Sequence, residues 1–182
     1  MTELDKMRSG AVFNPLDPEL RQLRFQARER CARFAHAPTP GNLKRLTALF
    51  EACGQHTFIE PGIQVDYGTQ IRLADRVYLN FGCVLLDSAW IDIGEGSLIG
   101  PSVHFYTVSH PLDADERARG DEFARPITLG RNVWVGGRTV ILPGVTLGDG
   151  AVVAAGSVVR ESVPARTLVA GNPARWVKDL PA

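Results

Sequence analysis

The chain has 182 residues, of which 45% are hydrophobic, and its 20 basic side chains balance its 20 acidic ones. A formal charge of zero and a pI near 6.9 argue against an electrostatic nucleic-acid binder. The first ten residues contain four charged side chains and no apolar run, unlike a signal peptide, and no apolar stretch is long enough for a membrane span. We therefore expect a soluble, cytoplasmic protein that binds neither nucleic acid nor membrane.

Three helix starts can be read in the first third of the chain. Thr2 is a helix N-cap, and that short helix ends at Gly10. Asp17 is a stronger start signal, because a proline and an acidic residue follow it directly. Asn42 begins the third predicted helix, which ends at Gly54.

A repeat of six residues organises the second half of the chain. The aliphatic residues that recur at every sixth position are Leu129, Val135, Ile141, Leu147, Val153 and Val159. A helix repeats a face every 3.6 residues and a strand every 2, so neither produces this spacing. The pattern is typical of a parallel β-helix, in which each hexapeptide forms one side of a coil and buries its aliphatic residue.

The six-residue repeat is also present earlier in the chain, but there it is interrupted. It begins at Ile59 and shifts by two residues before Leu73 and again before Ile93. Between Ser109 and Pro126 the register breaks in a polar segment, which predicts a loop that leaves the coil. Long loops inside compact domains usually carry function.

The sequence thus predicts a mainly β protein in three parts. In chain order these are an N-terminal helical segment (1–55), a hexapeptide-repeat β-helix (56–175) with a protruding loop at about 109–126, and a C-terminal tail (176–182). Because coils with apolar sides commonly associate, we expect a symmetric oligomer. Cys31, Cys53 and Cys83 are far apart and odd in number, which favours reduced thiols over disulfides or a thiolate zinc site.

His110 is the most informative of the four histidines. It stands where the repeat breaks, at the root of the predicted loop, whose acidic residues include Glu122. A histidine beside carboxylates can accept a proton near neutral pH. His110 is therefore a candidate general base.

Several segments match a known family. The matching segments are Lys6-Met7, Gly10, Phe13 and Asp17-Pro18-Glu19-Leu20 at the start; Asp66-Tyr67-Gly68, Asn80-Phe81 and Thr107 to Leu112 in the middle; and Asn132 to Gly137, Ile141 to Val145 and Gly171 to Arg175 toward the end. With these segments the chain resembles the maltose and galactoside O-acetyltransferases of the hexapeptide-repeat acyltransferase superfamily. The likeness covers nearly the whole chain.

This resemblance implies a left-handed β-helix with three hexapeptides per coil, assembled as a homotrimer with active sites between subunits. It implies direct transfer of an acetyl group from acetyl-CoA to a sugar hydroxyl, with His110 as general base and no metal. Glu122 would orient His110 or contact the acceptor. The implied acceptor-binding residues are Arg24, Asp66, Tyr78 and Asn80.

Acetyl-CoA needs a groove for its pantetheine arm and cations for its phosphates. We expect Trp134, Gly137 and Ala155 to form the wall of that groove. Phosphate-binding candidates are Arg160, Arg175 and Lys178, since arginine contacts phosphate oxygens in bidentate fashion. A backbone N–H near the Gly136-Gly137 pair is expected to stabilise the negative thioester oxygen.

Three positions depart from the family pattern. Gly82 replaces a second asparagine, Ser88 replaces the acid of the galactoside enzymes, and Asn14 replaces an aspartate of many members. These departures leave the identity of the acceptor open.

Two other functions fit a β-helix. A zinc enzyme like the γ-class carbonic anhydrases needs three histidine ligands, and beyond His104 and His110 no third candidate lies nearby on the coils. A non-catalytic β-helix that binds a partner is the second alternative.

Overall fold

The computed structural model of the protein describes residues 1–181, so that Ala182, the last residue of the predicted tail, lies outside the described residues. Its helices are α1 (Glu3–Ser9), α2 (Pro18–His36), α3 (Pro40–Thr47) and α4 (Ala114–Ala118). Over residues 1–181, no helix combines the length and the apolar character needed to cross a bilayer.

The first two helices begin as predicted. Thr2 and Asp5 form a reciprocal capping box on α1, and Gly10 ends the helix in the left-handed region at φ 77°. The Asp17 side chain caps α2 by accepting the backbone N–H groups of Glu19 and Leu20. Local side-chain chemistry alone therefore sets these helix ends.

The predicted bounds of the third helix are wrong. Thr39, not Asn42, is the N-cap of α3, since its hydroxyl accepts the Asn42 N–H at 3.3 Å and a proline follows it. The helix ends at Thr47, well before Gly54. Cys53 instead belongs to the first strand, because pairing with the next coil overrides helical spacing there.

Three parallel sheets form the flat faces of a triangular coil. The first face contains β1 (Ala52–Cys53), β4 (Ile71–Leu73), β7 (Ile91–Ile93), β12 (Ile127–Leu129) and β15 (Thr146–Leu147). The second contains β2 (Phe58–Ile59), β5 (Tyr78–Leu79), β8 (Leu98–Ile99), β13 (Trp134–Val135), β16 (Val152–Val153), β18 (Thr167–Ala170) and the antiparallel β19 (Arg175–Asp179). The third contains β3 (Gln64–Val65), β6 (Val84–Leu86), β9 (His104–Tyr106), β14 (Val140–Ile141) and β17 (Val158–Val159). The predicted fold class, a mainly β parallel β-helix, is confirmed.

The register explains the interruptions of the repeat. Leu129 pairs with Leu147, three hexapeptides later, and the aliphatic residues at every sixth position are buried. Leu73 pairs with Ile93, so the earlier coils are two residues longer. The extra residues lie where the third face turns into the first, which we call the loop edge.

The predicted loop leaves the coil at this same edge. Its roots are β10 (Val108–Ser109) and β11 (Phe123–Ala124), which pair antiparallel. The loop also contains α4, a helix that the sequence analysis does not predict. Asp113 caps α4 by accepting the N–H groups of Asp115 and Glu116.

The helical segment covers the first coil. Ala27, Cys31 and Phe34 of α2 join the buried core of the β-helix together with Leu46 and Phe50. This packing protects the open end of the coil from solvent. Cys31, Cys53 and Cys83 are free thiols in this structure, and burial raises the pKa of Cys31 and Cys83 to about 11.

Candidate functional site

Two side chains at the roots of the loop face each other across the β10–β11 ladder. Ser109 is opposite Phe123, so the flanking residues His110 and Glu122 are also opposed. His110 Nε2 lies 3.9 Å from Glu122 Oε1, and the side chains are 53% and 19% exposed, respectively. The fold thus places a solvent-accessible imidazole beside a largely covered carboxylate.

Glu122 is fixed by the N-terminal segment. Its backbone exchanges two hydrogen bonds with Phe13, of 3.0 and 3.2 Å. Burial raises the pKa of the Glu122 carboxyl, while the charges of His110 and Arg24 lower it. Both basic groups therefore lie close enough to interact with the Glu122 charge.

Arg24 extends from α2 to the same edge. Its Nη1 donates a 2.6 Å hydrogen bond to Tyr67 Oη, and its Nη2 donates to the carbonyl of Pro15. Asp66, the residue before Tyr67, pairs through Oδ1 with Arg28 Nη2 at 3.3 Å. The charges of these groups influence the pKa values of Tyr67 and Glu122. We call the set the loop-edge cluster: His110, Glu122, Arg24, Asp66 and Tyr67.

A buried carboxylate, Asp87, lies behind this cluster. It is completely buried, and its oxygens accept the backbone N–H groups of Asp66, Tyr67 and Gln70 at 3.1, 2.8 and 3.3 Å. Burial raises the pKa of Asp87 to about 7, although hydrogen bonds from the backbone of Tyr67, Gly68 and Gln70 lower it. Asp87 is not among the residues that the sequence analysis identifies. Its only sequence signal is that an acidic residue stands in the segment where the six-residue step shifts by two, before Ile93.

A second group of predicted residues lies where the second face turns into the third, which we call the cleft edge. Asn80, Trp134, Gly137 and Ala155 line one cavity of about 550 Å³ there. Trp134 is 57% exposed and forms part of its wall. The lining of the cavity is largely apolar.

Gly136 allows the turns at this edge to stack closely. A Cβ at Gly136 would overlap the backbone nitrogen of Ala155 on the next coil. Only glycine at position 136 therefore lets the backbones of these neighbouring turns approach each other closely at the cavity wall.

Tyr78 and Asn80 do not lie in the loop-edge cluster. Tyr78 is on the second face, where its hydroxyl donates to Glu60 Oε1 at 3.1 Å and its ring stacks on Phe58. Asn80 Oδ1 accepts the N–H of Phe81 at 2.9 Å and is part of the cleft edge. The four predicted acceptor residues are thus divided between two regions.

Comparison with known proteins identifies relatives over the whole chain. Residues 126–161 match the family model described as "Bacterial transferase hexapeptide (six repeats)", and residues 6–54 match the "Maltose acetyltransferase hexapeptide capping motif". A putative acetyltransferase of Dictyostelium discoideum is 42% identical over 100% of this chain and 96% of its own length. The galactoside O-acetyltransferase of Escherichia coli is 31% identical over 99% of this chain and 90% of its own length. The chain belongs to the maltose and galactoside O-acetyltransferase family.

Solved structures agree with this assignment. A maltose O-acetyltransferase from Clostridium difficile superposes with a TM-score of 0.96 at 35% identity, covering 100% of this chain and 99% of that one. A hexapeptide-repeat acetyltransferase from Vibrio cholerae, complexed with acetyl coenzyme A, gives a TM-score of 0.93 at 38% identity and covers both chains completely. The predicted family and enzyme class are confirmed.

In this acetyltransferase the predicted site residues fall into two half-sites. His110 follows the third face and belongs to the loop edge, whereas Trp134, Gly137 and Ala155 belong to the cleft edge. The second and third faces meet at one edge of the triangular coil, and the third and first faces meet at another. A single chain therefore does not bring the two half-sites together.

The predicted phosphate-binding residues lie near the C-terminal end of the coil. Arg160 Nε and Arg175 Nη1 each lie 3.5 Å from Glu161 Oε1, and all three side chains are exposed. Lys178 is opposite Leu168, which lines the cavity. Two arginines around one acid leave a net positive charge here.

The zinc alternative gains no support from the geometry. His104 is half-buried on the third face, and its Nδ1 lies 2.6 Å from Tyr106 Oη. In the part of the chain that the structure describes, no three His, Cys, Asp or Glu side chains group as metal ligands. The polar partner of His104 is thus Tyr106, and the described residues offer no group of metal ligands around it.

Proposed function

We propose that this acetyltransferase moves the acetyl group of acetyl-CoA to a hydroxyl of a sugar-like acceptor, with His110 as general base. The observation that carries the proposal is the His110–Glu122 pair beside Arg24 and Asp66 at the loop edge. An alcohol hardly ionises at neutral pH, so a base must take its proton as the oxygen attacks the thioester. In this proposal the exposed imidazole of His110 takes that proton.

Glu122 supports the base electrostatically in this proposal. At 3.9 Å from Nε2 its carboxylate is beyond hydrogen-bond range, but it attracts the imidazolium that forms when His110 takes the proton. The covered position of Glu122 strengthens this attraction, because water screens it less. Arg24 and Asp66 would contact hydroxyl groups of the acceptor beside it.

The cleft edge would hold the donor. Its cavity of about 550 Å³ has room for the pantetheine arm along Trp134, Gly137 and Ala155. A backbone N–H of the Gly136-Gly137 turn would stabilise the oxyanion, and Arg160, Arg175 and Lys178 would contact the phosphates. Transfer is direct, so no acyl-enzyme forms: as the acceptor oxygen bonds to the acetyl carbon, the C–S bond breaks and CoA leaves as a thiol with the proton that His110 took.

We further propose a homotrimer in which each active site combines the loop edge of one subunit with the cleft edge of its neighbour. The placement of the two half-sites on separate edges supports this arrangement. The second face also has an outward column of apolar side chains, of which Phe58, Leu98 and Trp134 are 56%, 51% and 57% exposed. Such a stripe is suited to contact with a second copy of the chain. Tyr78 and Asn80 would then reach the acceptor from the neighbour.

The direct test is acetyl-CoA-dependent thiol release across a panel of acceptors. We expect wild-type protein to release CoA with at least one member of a panel containing maltose, glucose, galactosides and lipo-oligosaccharide precursors, and mass spectrometry to detect the acetyl ester. Acetyl-CoA without acceptor is the control for hydrolysis. Release that never exceeds this control would contradict the proposed transfer to a sugar-like acceptor.

A further inference from the structure

The loop edge contains a buried polar ladder that connects three successive coils. The register aligns Leu86 with Tyr106 and Val65 with Leu85, so the residues that turn the corner next are Tyr67, Asp87 and Thr107. Tyr67, Asp87 and Thr107 are all buried. The active-site residues proposed above lie at the two ends of this ladder.

Asp87 is the central member of the ladder. Its Oδ1 accepts the N–H groups of Asp66 and Tyr67 at 3.1 and 2.8 Å, and its Oδ2 accepts that of Gln70 at 3.3 Å. The Gln70 side-chain amide donates to the Asp87 carbonyl. Within residues 1–181 Asp87 has no ion-pair partner among the basic side chains, so these backbone groups are what make its burial tolerable.

Asp87 accepts hydrogen bonds from the turn formed by residues 66–70. This turn contains or contacts residues proposed to bind the acceptor. Asp66 is its first residue, and Tyr67 Oη accepts the 2.6 Å hydrogen bond from Arg24. The ring of Tyr67 also lies under the Arg24 guanidinium, 5.5 Å from its centroid. The position of the turn therefore sets the positions of both Asp66 and Arg24.

Thr107 connects Asp87 to the coil of the general base. Its hydroxyl donates to the Leu86 carbonyl at 2.6 Å and accepts the Ala89 N–H at 2.9 Å, on either side of Asp87. His110 follows Thr107 by three residues. The ladder thus links the corner that holds acceptor residues to the strand that leads to the base.

We propose that Asp87 is a positioning residue: it fixes the 66–70 turn so that Asp66 and Arg24 are aligned with the His110–Glu122 pair. Asp87 touches neither substrate in this account. The inference rests on the proposed function, because it assigns Asp66 and Arg24 to the acceptor. Its effect is expected on the acceptor side alone, because the cleft edge lies at another corner of the coil.

The test is a pair of substitutions, Asp87→Ala and Asp87→Asn. Asp87→Ala leaves several buried N–H groups without an acceptor, and we expect the acceptor KM to rise at least about tenfold, since small displacements of binding groups have effects of this order. Asp87→Asn keeps one oxygen for Asp66 and Tyr67, so its increase in KM should be smaller. The KM for acetyl-CoA should not change in either variant. Asp92→Asn is the matched control, because Asp92 is the acid that pairs with Arg72 at 3.3 Å outside the coil.

Amide hydrogen exchange gives a readout that does not depend on turnover. Faster exchange confined to residues 66–70 in both Asp87 variants would support the proposal, even if no acceptor in the panel were acetylated by wild type. Equal increases in both KM values, or faster exchange throughout the coil, would overturn it and leave Asp87 a general folding residue. Unchanged exchange and unchanged KM values would overturn it as well.

Discussion

Replacing His110 by alanine is expected to lower kcat for acetyl transfer at least about a hundredfold, because general-base catalysis contributes roughly 10²–10⁴ in rate. His110 is half-exposed at the root of the loop and supports no buried packing, so the variant should fold and assemble like wild type. The binding of acetyl-CoA should be unchanged, since the cleft edge contains no part of this side chain.

Steady-state thiol release measures this effect, with size-exclusion chromatography as the check on assembly. His36→Ala is the control, because His36 is an exposed residue in the last turn of α2, away from the loop. Near-normal turnover of His110→Ala in the same assembly would remove the proposed base.

Replacing Ala155 by tryptophan is expected to raise the KM for acetyl-CoA about thirtyfold or more, which corresponds to roughly 2 kcal/mol of steric overlap in a packed site. Ala155 is exposed at the tip of a cleft-edge turn and lines the cavity of about 550 Å³. An indole there would fill the space proposed for the pantetheine arm without entering the core. The acceptor KM should change much less.

Ala165→Trp is a matched control for this variant. Ala165 is also exposed, and its backbone stacks on Gly148 in the way that Ala155 stacks on Gly136, but it lies at the turn from the first face to the second. Its replacement should leave both KM values unchanged. If Ala155→Trp and Ala165→Trp behaved alike, the cavity would not be the donor groove.

Much of the fold can be predicted from the sequence because its determinants are local. The aliphatic residue of each hexapeptide must be buried whichever coil it belongs to, and Thr2 and Asp17 cap their helices with their own side chains. Cys53 also fits the helical spacing of the third predicted helix, but its pairing with Leu73 on the next coil makes it part of a strand. Such a contact between distant residues cannot be read from spacing.

The same limit applies to the site. Asp87 occupies an ordinary position in the sequence, and only the stacking of the 66–70 turn on it shows that its carboxylate is buried against backbone N–H groups. Asp66 and Asn80 both match family segments, yet they lie at different edges of the coil. The repeat determines which face a residue occupies, but it does not show how two edges would meet, which in the proposed trimer depends on a second subunit.

Subunit mixing tests this shared active site most directly. His110→Ala and Ala155→Trp would be co-expressed in equal amounts with different tags, and assemblies containing both would be purified. If each site takes its base from one subunit and its groove from the neighbour, each mixed trimer should contain one intact site and show about a third of wild-type activity, because only one of its three pairings combines two intact edges. Activity no higher than the sum of the two separate variants would contradict a site shared between subunits.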